Sequence, residues 1–398
     1  MENRKLFLMI IAAVILVTGF LFYQQSGWLS NGEDEVLEED QLIEEDERWE
    51  EEQDLPEEAE VTDDNEQEFD FPDGPDQEVV KDNLSIPWEL IFLPDGSMLI
   101  TERAGNLIYI PESGLLETIQ IERAEHTGEG GLLGMTLHPE FAENNYLYLY
   151  LTAEAEDGLI NRVERHYFID GKLIKDTVII DNIPGAVHHD GGRIAFGPDN
   201  LLYIATGDAS IPELSQDRDS LAGKILRLED DGSIPEDNPF GTEILSYGHR
   251  NPQGLAWDSD GNLWATEHGP TAQDELNHIE SGKNYGWPEI EGDQSAPGME
   301  DPSVHSGMDE TWAPSGAVYY DGSIFFAGLR GASLYEAVLS GTEVVEVKRH
   351  LEGEFGRLRT IVAGPDGYLY MLTNNRDGRG NPAPDDDKII RINPEQFR

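Results

Sequence analysis

The chain has 398 residues, and its 81 acidic residues against 26 basic ones give a formal net charge of −55 at pH 7. It contains no cysteine, which excludes zinc clusters, iron–sulfur proteins and disulfide scaffolds, because all of these need thiols. Nucleic acid is not expected as a partner, because phosphate binding requires a basic surface. Hydrophobic residues make up 38% of the chain, enough for the core of one large domain or two ordinary ones.

Residues 1–30 are predicted to be a membrane anchor. Arg4 and Lys5 precede an uncharged apolar run from Leu6 to Tyr23, which at about 1.5 Å per residue is long enough to cross a hydrocarbon core. The positive flank predicts that the start stays inside and that the rest is exported. A cleaved signal peptide is the alternative, and the bulky residues at the end of the run favour the uncleaved anchor. We therefore expect a single-pass cell-membrane protein with an extracytoplasmic domain, or a secreted protein if the signal is cleaved.

Residues 31–82 are predicted to form a disordered acidic linker. From Glu33 to Asp82 there are 26 acidic residues and only two basic ones. Such a segment repels itself and buries little apolar surface, so it is expected to stay extended. The predicted folded domain, residues 83–398, still carries 54 acidic residues against 22 basic ones. A salty habitat or divalent cations would compensate its self-repulsion.

A short pattern recurs through the predicted domain: an apolar residue, a Pro-Asp-Gly-like turn, and an apolar strand that ends in threonine or another polar residue. Residues 92–101 (FLPDGSMLIT) and 196–206 (FGPDNLLYIAT) are examples. Asp-Gly between apolar runs is a strong hairpin signal, and six such units predict an all-β, six-bladed propeller around a central channel. An irregular β-sandwich is the alternative. The acidic residues of the six turns are Asp95, Glu140, Asp199, Asp260, Asp321 and Asp366.

Many of the domain's basic residues fall at strand ends and in the loops that follow. Corresponding positions of different blades converge on one end of a propeller channel, so several arginines are expected to meet there. Converging guanidinium groups predict a site for a planar multi-carboxylate or a phosphate, which they bind bidentately. For any single arginine, the alternative is a salt bridge to one of the many Asp and Glu side chains. The polar residues at these positions are Arg103, His189, Arg193, Asp208, Arg250, Asn251, Gln253, Glu267, His268, Arg330, Arg357, Arg359, Asn374 and Arg376.

The segments around these residues resemble the soluble quinoprotein glucose dehydrogenases and aldose sugar dehydrogenases, the glucose/sorbosone dehydrogenase family. The resemblance runs from about residue 84 to 395 and is specific only when its short motifs are taken together in order. It implies a six-bladed propeller and a bound pyrroloquinoline quinone (PQQ), a planar tricarboxylate, in agreement with the repeats and the arginines. The motifs are residues 128–135 (GEGGLLGM), 189–194 (HDGGRI), 248–254 (GHRNPQG), 267–270 (EHGP), 274–277 (DELN), 284–288 (NYGWP), 313–316 (APSG) and 356–359 (GRLR).

The resemblance implies six residues that bind the cofactor. Arg250 and Asn251 would face the quinone carbonyls. The carboxylates would be bound by Arg330, Arg357 and Arg359. Residue 330 is lysine in the glucose dehydrogenases. Arginine keeps the positive charge in this chain, but a planar guanidinium group replaces a compact ammonium group. The six residues are Arg250, Asn251, His268, Arg330, Arg357 and Arg359.

The resemblance also implies bound calcium. The backbone carbonyls of Gly269 and Pro270 would hold an ion that touches the quinone. Glu275 and Tyr285 match a second, structural calcium site that some members of the family have. Calcium prefers oxygen ligands, and this acidic chain offers many.

His189 is predicted to be the catalytic base. Oxidation of an anomeric alcohol requires a base that takes the hydroxyl proton, and a neutral imidazole suits that role near pH 7. Arg250 would stabilise the negative charge that develops on the quinone. Glu129 and His188 match substrate positions of the family. As an alternative, His188, His189 and Asp190 would bind a metal, but adjacent strand residues point to opposite faces and seldom share one ion.

The segment before Ala313 is shorter than in family members, where a longer stretch helps to wall the sugar and the cofactor. Trp312 is the residue that would replace that wall in this chain. A shorter wall predicts a wider entrance to the cavity. It also predicts either a broad range of substrates or a larger substrate, such as an oligosaccharide.

The sequence therefore predicts a PQQ-dependent dehydrogenase that oxidises the C1 hydroxyl of aldose sugars to lactones. Electrons would pass to an external acceptor, because the chain has no haem motif of the Cys-x-x-Cys-His type. One alternative is a non-catalytic extracellular propeller that binds carbohydrate or a protein partner. Another is a calcium-dependent lactonase, which would need a central cage of carboxylates and asparagine instead of arginines.

Overall fold

The structure is a computed structural model that describes residues 74–398. The predicted anchor from Leu6 to Tyr23, and the predicted linker as far as residue 73, lie outside the described residues. Across residues 74–398, no helix combines the length and the apolar character that crossing a bilayer requires.

Six four-stranded antiparallel sheets form the six blades of a β-propeller, so the predicted fold is confirmed. The first described strand, β1 (Gln77–Lys81), belongs to the last blade; blades one to five each use four consecutive strands. Blade one contains β2 (Pro87–Phe92), β3 (Met98–Glu102), β4 (Asn106–Ile110) and β5 (Glu117–Gln120). Blade two contains β6 (Leu132–Leu137), β7 (Tyr146–Ala155), β8 (Gly158–Ile169) and β9 (Lys172–Pro184). Blade three contains β10 (Ile194–Phe196), β11 (Leu202–Thr206), β12 (Lys224–Leu228) and β13 (Ile244–Tyr247).

The remaining blades follow the same plan. Blade four contains β14 (Pro252–Trp257), β15 (Leu263–Glu267), β16 (Glu275–Ile279) and β17 (Val304–His305). Blade five contains β18 (Pro314–Tyr320), β19 (Ser323–Gly328), β20 (Ser333–Ser340) and β21 (Glu343–His350). Blade six contains β22 (Leu358–Ala363), β23 (Leu369–Thr373), β24 (Ile389–Ile392) and β1. The described helices are one α-helical turn and two 3₁₀ turns: Phe141–Asn144, Pro212–Ser215 and Pro394–Phe397.

The predicted acidic turns join the first two strands of the blades. In blade one, Gly96 N–H donates to Leu93 O (2.9 Å), and Ser97 N–H donates to Asp95 Oδ1 (3.0 Å). Gly96 has a φ of 83°, which glycine adopts without strain. In blade three, Asp199 Oδ1 likewise accepts from the N–H two residues further on (3.2 Å).

The position of these turns determines where the polar residues gather. The first strand of each blade lies innermost, beside the channel, and the acidic turns lie at one end of it. The opposite end therefore carries the residues that precede the first strands and follow the second strands. His189, Arg250 and Arg357 precede β10, β14 and β22, while Asp208 and His268 follow β11 and β15.

Apolar clusters between neighbouring sheets hold the blades together. One cluster joins Trp88 of blade one to Tyr148 and Tyr150 of blade two and to Ile204 of blade three, all of them buried. Each fully buried side chain of this size contributes roughly 1.5–3 kcal/mol through apolar burial. These clusters hold neighbouring blades in place, and with them the loops at the polar end of the channel.

The propeller begins earlier than predicted, because β1 pairs antiparallel with β24 and completes blade six. The prediction that the linker extends to residue 82 is therefore wrong for β1, and the boundary at residue 83 moves towards the N-terminus. The side chains of β1 are mostly exposed, so its sequence lacks the apolar alternation that marks a half-buried strand. Its backbone pairing places it in the sheet.

A chain that begins at residue 83 is expected to be less stable than one that begins at residue 74. The shorter chain loses β1, so the N–H and C=O groups of β24 that face it lose their partners. We expect a fall in Tm of roughly 5 °C, measured by thermal denaturation of both chains. Equal melting temperatures would show that β1 does not contribute to the closure of the propeller.

Candidate active site

A cavity of about 280 Å³ opens at the polar end of the channel. This volume is close to the lower end of the range for small-molecule sites. The predicted site residues that line it are Glu129, His188, His189, Arg250, Asn251, His268, Gly269, Pro270, Arg330 and Arg357. It is also lined by residues that the sequence analysis gave no role: Thr271, Asp274, Thr311, Ala313, Leu329 and Arg379.

The ring of His189 is fixed on both sides. Its Nδ1 lies 2.7 Å from Asp208 Oδ1, and its Nε2 lies 3.0 Å from Arg250 Nη2. Because a guanidinium group only donates, Nε2 must be the acceptor and Nδ1 the donor. The backbone of His189 has a φ of 65°, and its N–H donates to Glu129 Oε2 (3.0 Å). The contacts therefore place the ring proton on Nδ1 and make Nε2 the acceptor, with its lone pair directed at Arg250.

Asp208 holds this tautomer in place, a role that the sequence analysis did not assign. Its carboxylate is fully buried. Oδ1 accepts from Ser210 N–H (2.7 Å) as well as from His189, and Oδ2 accepts from Trp287 Nε1 (2.9 Å). The carboxylate is therefore well placed to stabilise an imidazolium at His189.

Arg250 faces the cavity from the loop before β14. Its backbone N–H donates to the Glu267 carboxylate, and its side-chain Nη1 donates to His268 O (3.1 Å). The guanidinium group lies 5.3 Å from the centre of the Trp287 ring. Burial lowers the pKa of Arg250. Its Nε is buried and has no acceptor among the described residues, so this N–H can donate to a ligand.

Asn251 and Gly207 shape the backbone around His189. Asn251 Oδ1 accepts from Gly191 N–H (3.0 Å) and so holds the turn that follows the histidine. A Cβ on Gly207 would lie 1.9 Å from His189 O. Only glycine therefore permits this close approach of two backbone segments.

Glu129 carries a negative charge at the cavity wall. Burial alone would raise its pKa, but the hydrogen bond from His189 N–H and the Arg379 guanidinium, 2.8 Å from Oε1, outweigh it and lower the pKa to about 2. His188 is exposed at the rim, and its ring centre lies 6.4 Å from that of His189. Both predicted substrate residues thus lie beside the predicted base.

The residues of the alternative metal site do not converge. Both ring nitrogens of His189 are engaged, as described above. The Asp190 carboxylate is buried and accepts from Asn161 Nδ2 and Ala186 N–H, each at 3.0 Å. His188, His189 and Asp190 therefore do not form a ligand set.

The three arginines predicted for the carboxylates lie at different depths. Arg330 is exposed at the rim of the cavity. Arg357 lines the wall and holds Asp377 Oδ2 through Nε (3.0 Å) and Nη2 (2.7 Å). Arg359 is buried and outside the lining, and its Nη1 donates to Gln253 Oε1 (2.7 Å). The structure places two of the three at the cavity and the third deeper in the channel.

Asp274 fixes two loops of the cavity wall, and the sequence analysis gave it no role. Its Oδ1 accepts from Gly269 N–H (2.9 Å). Its Oδ2 accepts from Thr311 Oγ1 (2.8 Å), Trp312 N–H (2.7 Å) and Ala313 N–H (2.9 Å). The Trp312 side chain is 5% exposed and packs in the core, so it does not replace the missing wall.

The residues predicted to bind calcium surround a second, smaller cavity next to the first. Gly269, Pro270, Glu275 and Tyr285 all line it. Burial raises the pKa of Glu275 to about 8, and the Tyr285 hydroxyl donates to His278 O (2.6 Å). Residues 74–398 contain no group of three or more His, Asp or Glu side chains placed to hold a metal ion. Calcium binding stays a prediction that depends on backbone oxygens.

The residues around the main cavity suit an anionic, acceptor-rich ligand such as PQQ. At this end of the channel, Arg250 Nε in the cavity wall and the Nε atoms of Arg103 and Arg359 outside the lining are buried without an acceptor in the described part of the chain. Nε2 of His268 is also buried without a partner there. Burial lowers the pKa of His268 to about 4, so its ring is neutral. Buried polar atoms are normally hydrogen-bonded, so a cluster of unsatisfied donors indicates a place for a ligand with acceptors.

Comparison with known proteins gives close relatives over the propeller. The family model described as Glucose / Sorbosone dehydrogenase matches residues 84–390. Aldose sugar dehydrogenase YliI of Escherichia coli is 35% identical over 344 residues, which cover 76% of this chain and 90% of that protein. Quinoprotein glucose dehydrogenase B of Acinetobacter calcoaceticus is 35% identical over 54% of this chain and 53% of its own length.

A solved structure with a similar fold is a PQQ-bound form. The PQQ-bound form of aldose sugar dehydrogenase from Streptomyces coelicolor has a TM-score of 0.74 and 40% identity, covering 80% of this chain and 98% of that one. The prediction of an oxidoreductase is confirmed, and a non-catalytic binding propeller is not favoured. The chain belongs to the glucose/sorbosone dehydrogenase family.

Proposed function

We propose that the chain oxidises the C1 hydroxyl of aldose sugars to the lactone, with PQQ as bound cofactor and an external electron acceptor. The observation that carries this proposal is the contact of His189 with Asp208 and Arg250 at the wall of the cavity. The relatives named aldose sugar dehydrogenase support the sugar as substrate, and the PQQ-bound neighbour supports the cofactor.

The cofactor would be held by the cationic and amide side chains around the main cavity. Arg250 and Asn251 come from blade four, and Arg330 and Arg357 reach the cavity from blades five and six. When bound, PQQ supplies the two-electron acceptor for the hydride that leaves C1. The chain supplies the binding site and the positive charge.

His189 would remove the proton of the C1 hydroxyl. The sugar hydroxyl would approach Nε2, the acceptor nitrogen that faces Arg250 at 3.0 Å. As Nε2 gains the proton, the Asp208 carboxylate, 2.7 Å from Nδ1, stabilises the imidazolium. Arg250 offers its unsatisfied Nε to the developing negative charge. Glu129 and His188 would orient the sugar from the same side.

We also propose that calcium takes part, bound by the backbone carbonyls of Gly269 and Pro270. Removing the metal with a chelator is expected to lower sugar oxidation at least tenfold, because the ion would help to position the cofactor. Calcium added back should restore the rate, and magnesium should restore less, because it demands a smaller octahedral site. Turnover that survives exhaustive chelation unchanged would contradict the calcium proposal.

The extracytoplasmic location is proposed on the apolar run from Leu6 to Tyr23 after Arg4 and Lys5. The chain would be anchored in the cell membrane, or released if the signal is cleaved. Protease added to intact cells should digest the propeller in the anchored form. Full protection of the propeller would contradict this location.

The proposed function is tested with the full-length chain, purified in mild detergent because of the apolar run. PQQ and calcium are added, and reduction of a dye is followed with a panel of aldoses. The matched control is the methyl glycoside of the best sugar, which has no free C1 hydroxyl. Turnover of the free sugar alone, dependent on PQQ, is the expected result. Equal rates with the glycoside would contradict oxidation at C1.

A further inference from the structure

Blade one contributes no strand and no loop between its strands to the wall of the main cavity. Within residues 74–398, the lining residues come from the loops of the other blades, together with Glu129, which lies between β5 and β6. Only residues 103–105 join β3 to β4, at the polar end of the channel, and none of these three lines the cavity. The short loop therefore leaves a gap in the wall on the side of blade one.

A long loop of blade six spans this gap. Residues 374–388 join β23 to β24, and Arg379 in this loop places its Nη1 2.8 Å from Glu129 Oε1. The ion pair connects the loop of blade six to the segment between blades one and two, so it bridges the end of blade one. Both residues line the cavity. The pair thus completes the wall where blade one does not reach.

The loop that carries Arg379 is anchored. Asp377 Oδ1 accepts from Arg379 N–H (2.9 Å), and Asp377 Oδ2 accepts from Arg357 Nη2 (2.7 Å). Towards the other end of the loop, Asp386 is 5% exposed, and its Oδ2 accepts from Ala383 N–H (2.7 Å). The backbone of Arg379 is therefore fixed relative to the cavity wall.

Glu129, the partner of Arg379, is held beside the proposed base. Its Oε2 accepts from His189 N–H (3.0 Å), while its Oε1 accepts from Arg379. Burial would raise the pKa of Glu129, but these two contacts outweigh it and lower the pKa to about 2, so the pair stays charged near neutral pH. The Arg379 side chain is 50% exposed, so it can leave Glu129 without any repacking of the core.

We propose that Arg379 is a specificity-determining residue whose ion pair with Glu129 limits the size of the saccharide that reaches His189. Glu129 contacts both His189 and Arg379, so the pair lies next to the place where the reacting sugar unit would bind. A monosaccharide would bind with the pair closed, whereas a second unit on the side of blade one would have to break it. The inference rests on the proposed function. It concerns a different side of the cavity from the short segment before Ala313, which joins blades four and five.

Two competing accounts give the pair another role. Ion pairs between exposed side chains often contribute little, so the pair would have no effect on selectivity. Alternatively, Arg379 would donate its remaining N–H groups to a long saccharide and favour it. Removal of the guanidinium group then leaves the preference for long saccharides unchanged in the first account and lowers it in the second. Our proposal predicts that it rises.

The test compares the wild-type full-length chain with Arg379→Ala, both loaded with PQQ and calcium. The kcat/KM is measured for glucose and for maltotriose, and the ratio of maltotriose to glucose is compared between the chains. We expect Arg379→Ala to raise this ratio roughly 3- to 10-fold, because the trisaccharide no longer has to break the pair. In the wild-type chain, sodium chloride should also raise the ratio, because salt screens the pair, and the variant should respond less.

The matched control is Lys388→Ala. It removes a positive charge from the same loop, where Lys388 pairs with Asp385 at 2.9 Å and does not line the main cavity. Its ratio should equal that of the wild-type chain. An unchanged or lower ratio for Arg379→Ala would overturn the inference.

A separate measurement distinguishes failure of the proposed function. If the wild-type chain oxidises neither saccharide, the proposed oxidation of these sugars is wrong, and calorimetric affinities of the same chains for glucose and maltotriose replace kcat/KM. A higher relative affinity of Arg379→Ala for maltotriose would still support the limit on size. Binding of neither saccharide, or an unchanged relative affinity, would overturn it.

Discussion

Replacement of His189 by alanine is expected to lower kcat for aldose oxidation by about 10²- to 10⁴-fold. The imidazole contacts Arg250, and its Nε2 is the acceptor that a sugar hydroxyl would meet. Alanine removes the acceptor but leaves the arginines that would hold the cofactor. The variant is therefore expected to bind PQQ with nearly unchanged affinity while it fails to turn over sugar.

The adjacent histidine provides the control for this prediction. His188 is exposed at the rim, so His188→Ala should raise KM while kcat falls less than about tenfold. Dye reduction at saturating sugar, measured beside PQQ affinity and Tm for both variants, separates the two roles. A kcat of His189→Ala close to the wild-type value would show that another group removes the proton.

Replacement of Asp208 by asparagine is expected to lower kcat by about 10²- to 10⁴-fold, although Asp208 would not touch the substrate. Its two oxygens accept from His189, Ser210 and Trp287. An amide has one oxygen, so it cannot serve the histidine and the tryptophan together. If its NH₂ group faces Nδ1, the proton moves to Nε2 and the base is lost.

Measurements on Asp208→Asn distinguish a role in positioning His189 from a role in supporting the fold. We expect kcat to fall, with KM and the affinity for PQQ nearly unchanged. Ser210→Ala is the matched control, because it keeps the backbone N–H that Asp208 accepts and removes only the hydroxyl that donates to His188 O. If Asp208→Asn lowers Tm and PQQ affinity in proportion to kcat, its role is to support the fold.

The fold was largely predictable because each blade repeats a local signal. Turns such as Asp95-Gly96 fix the hairpin through contacts within four residues, so the sequence near the turn is sufficient. β1 was missed because its side chains are mostly exposed and it sits at the end of an acidic run. Its place in blade six is determined by pairing with β24, more than 300 residues away.

The candidate site was predictable where motifs mark individual residues, and not where distant residues meet. His189 and Arg250 were identified from their motifs, and the structure brings them into contact. The role of Asp208 depends on its contact with His189, which sequence alone does not reveal. The pairing of Arg379 with Glu129 joins residues 250 positions apart. No local pattern encodes such a contact.

The depth of a side chain is equally hidden from sequence. Arg357 and Arg359 were both predicted to bind the carboxylates, but Arg357 precedes β22 and lines the cavity, whereas Arg359 lies within β22 and is buried deeper in the channel. Trp312 was considered as a wall and instead packs in the core. In both cases the direction of the side chain is set by packing between blades.

We propose that the chain oxidises a sugar in the cavity beside His189, with PQQ as bound cofactor. The most direct measurement is the absorption spectrum of the full-length chain loaded with PQQ and calcium, recorded without air or dye before and after one equivalent of aldose. We predict that the spectrum of the bound cofactor changes at once with the wild-type chain and remains unchanged with His189→Ala. An unchanged wild-type spectrum across the whole panel of aldoses, with PQQ demonstrably bound, would contradict oxidation of a sugar in this cavity.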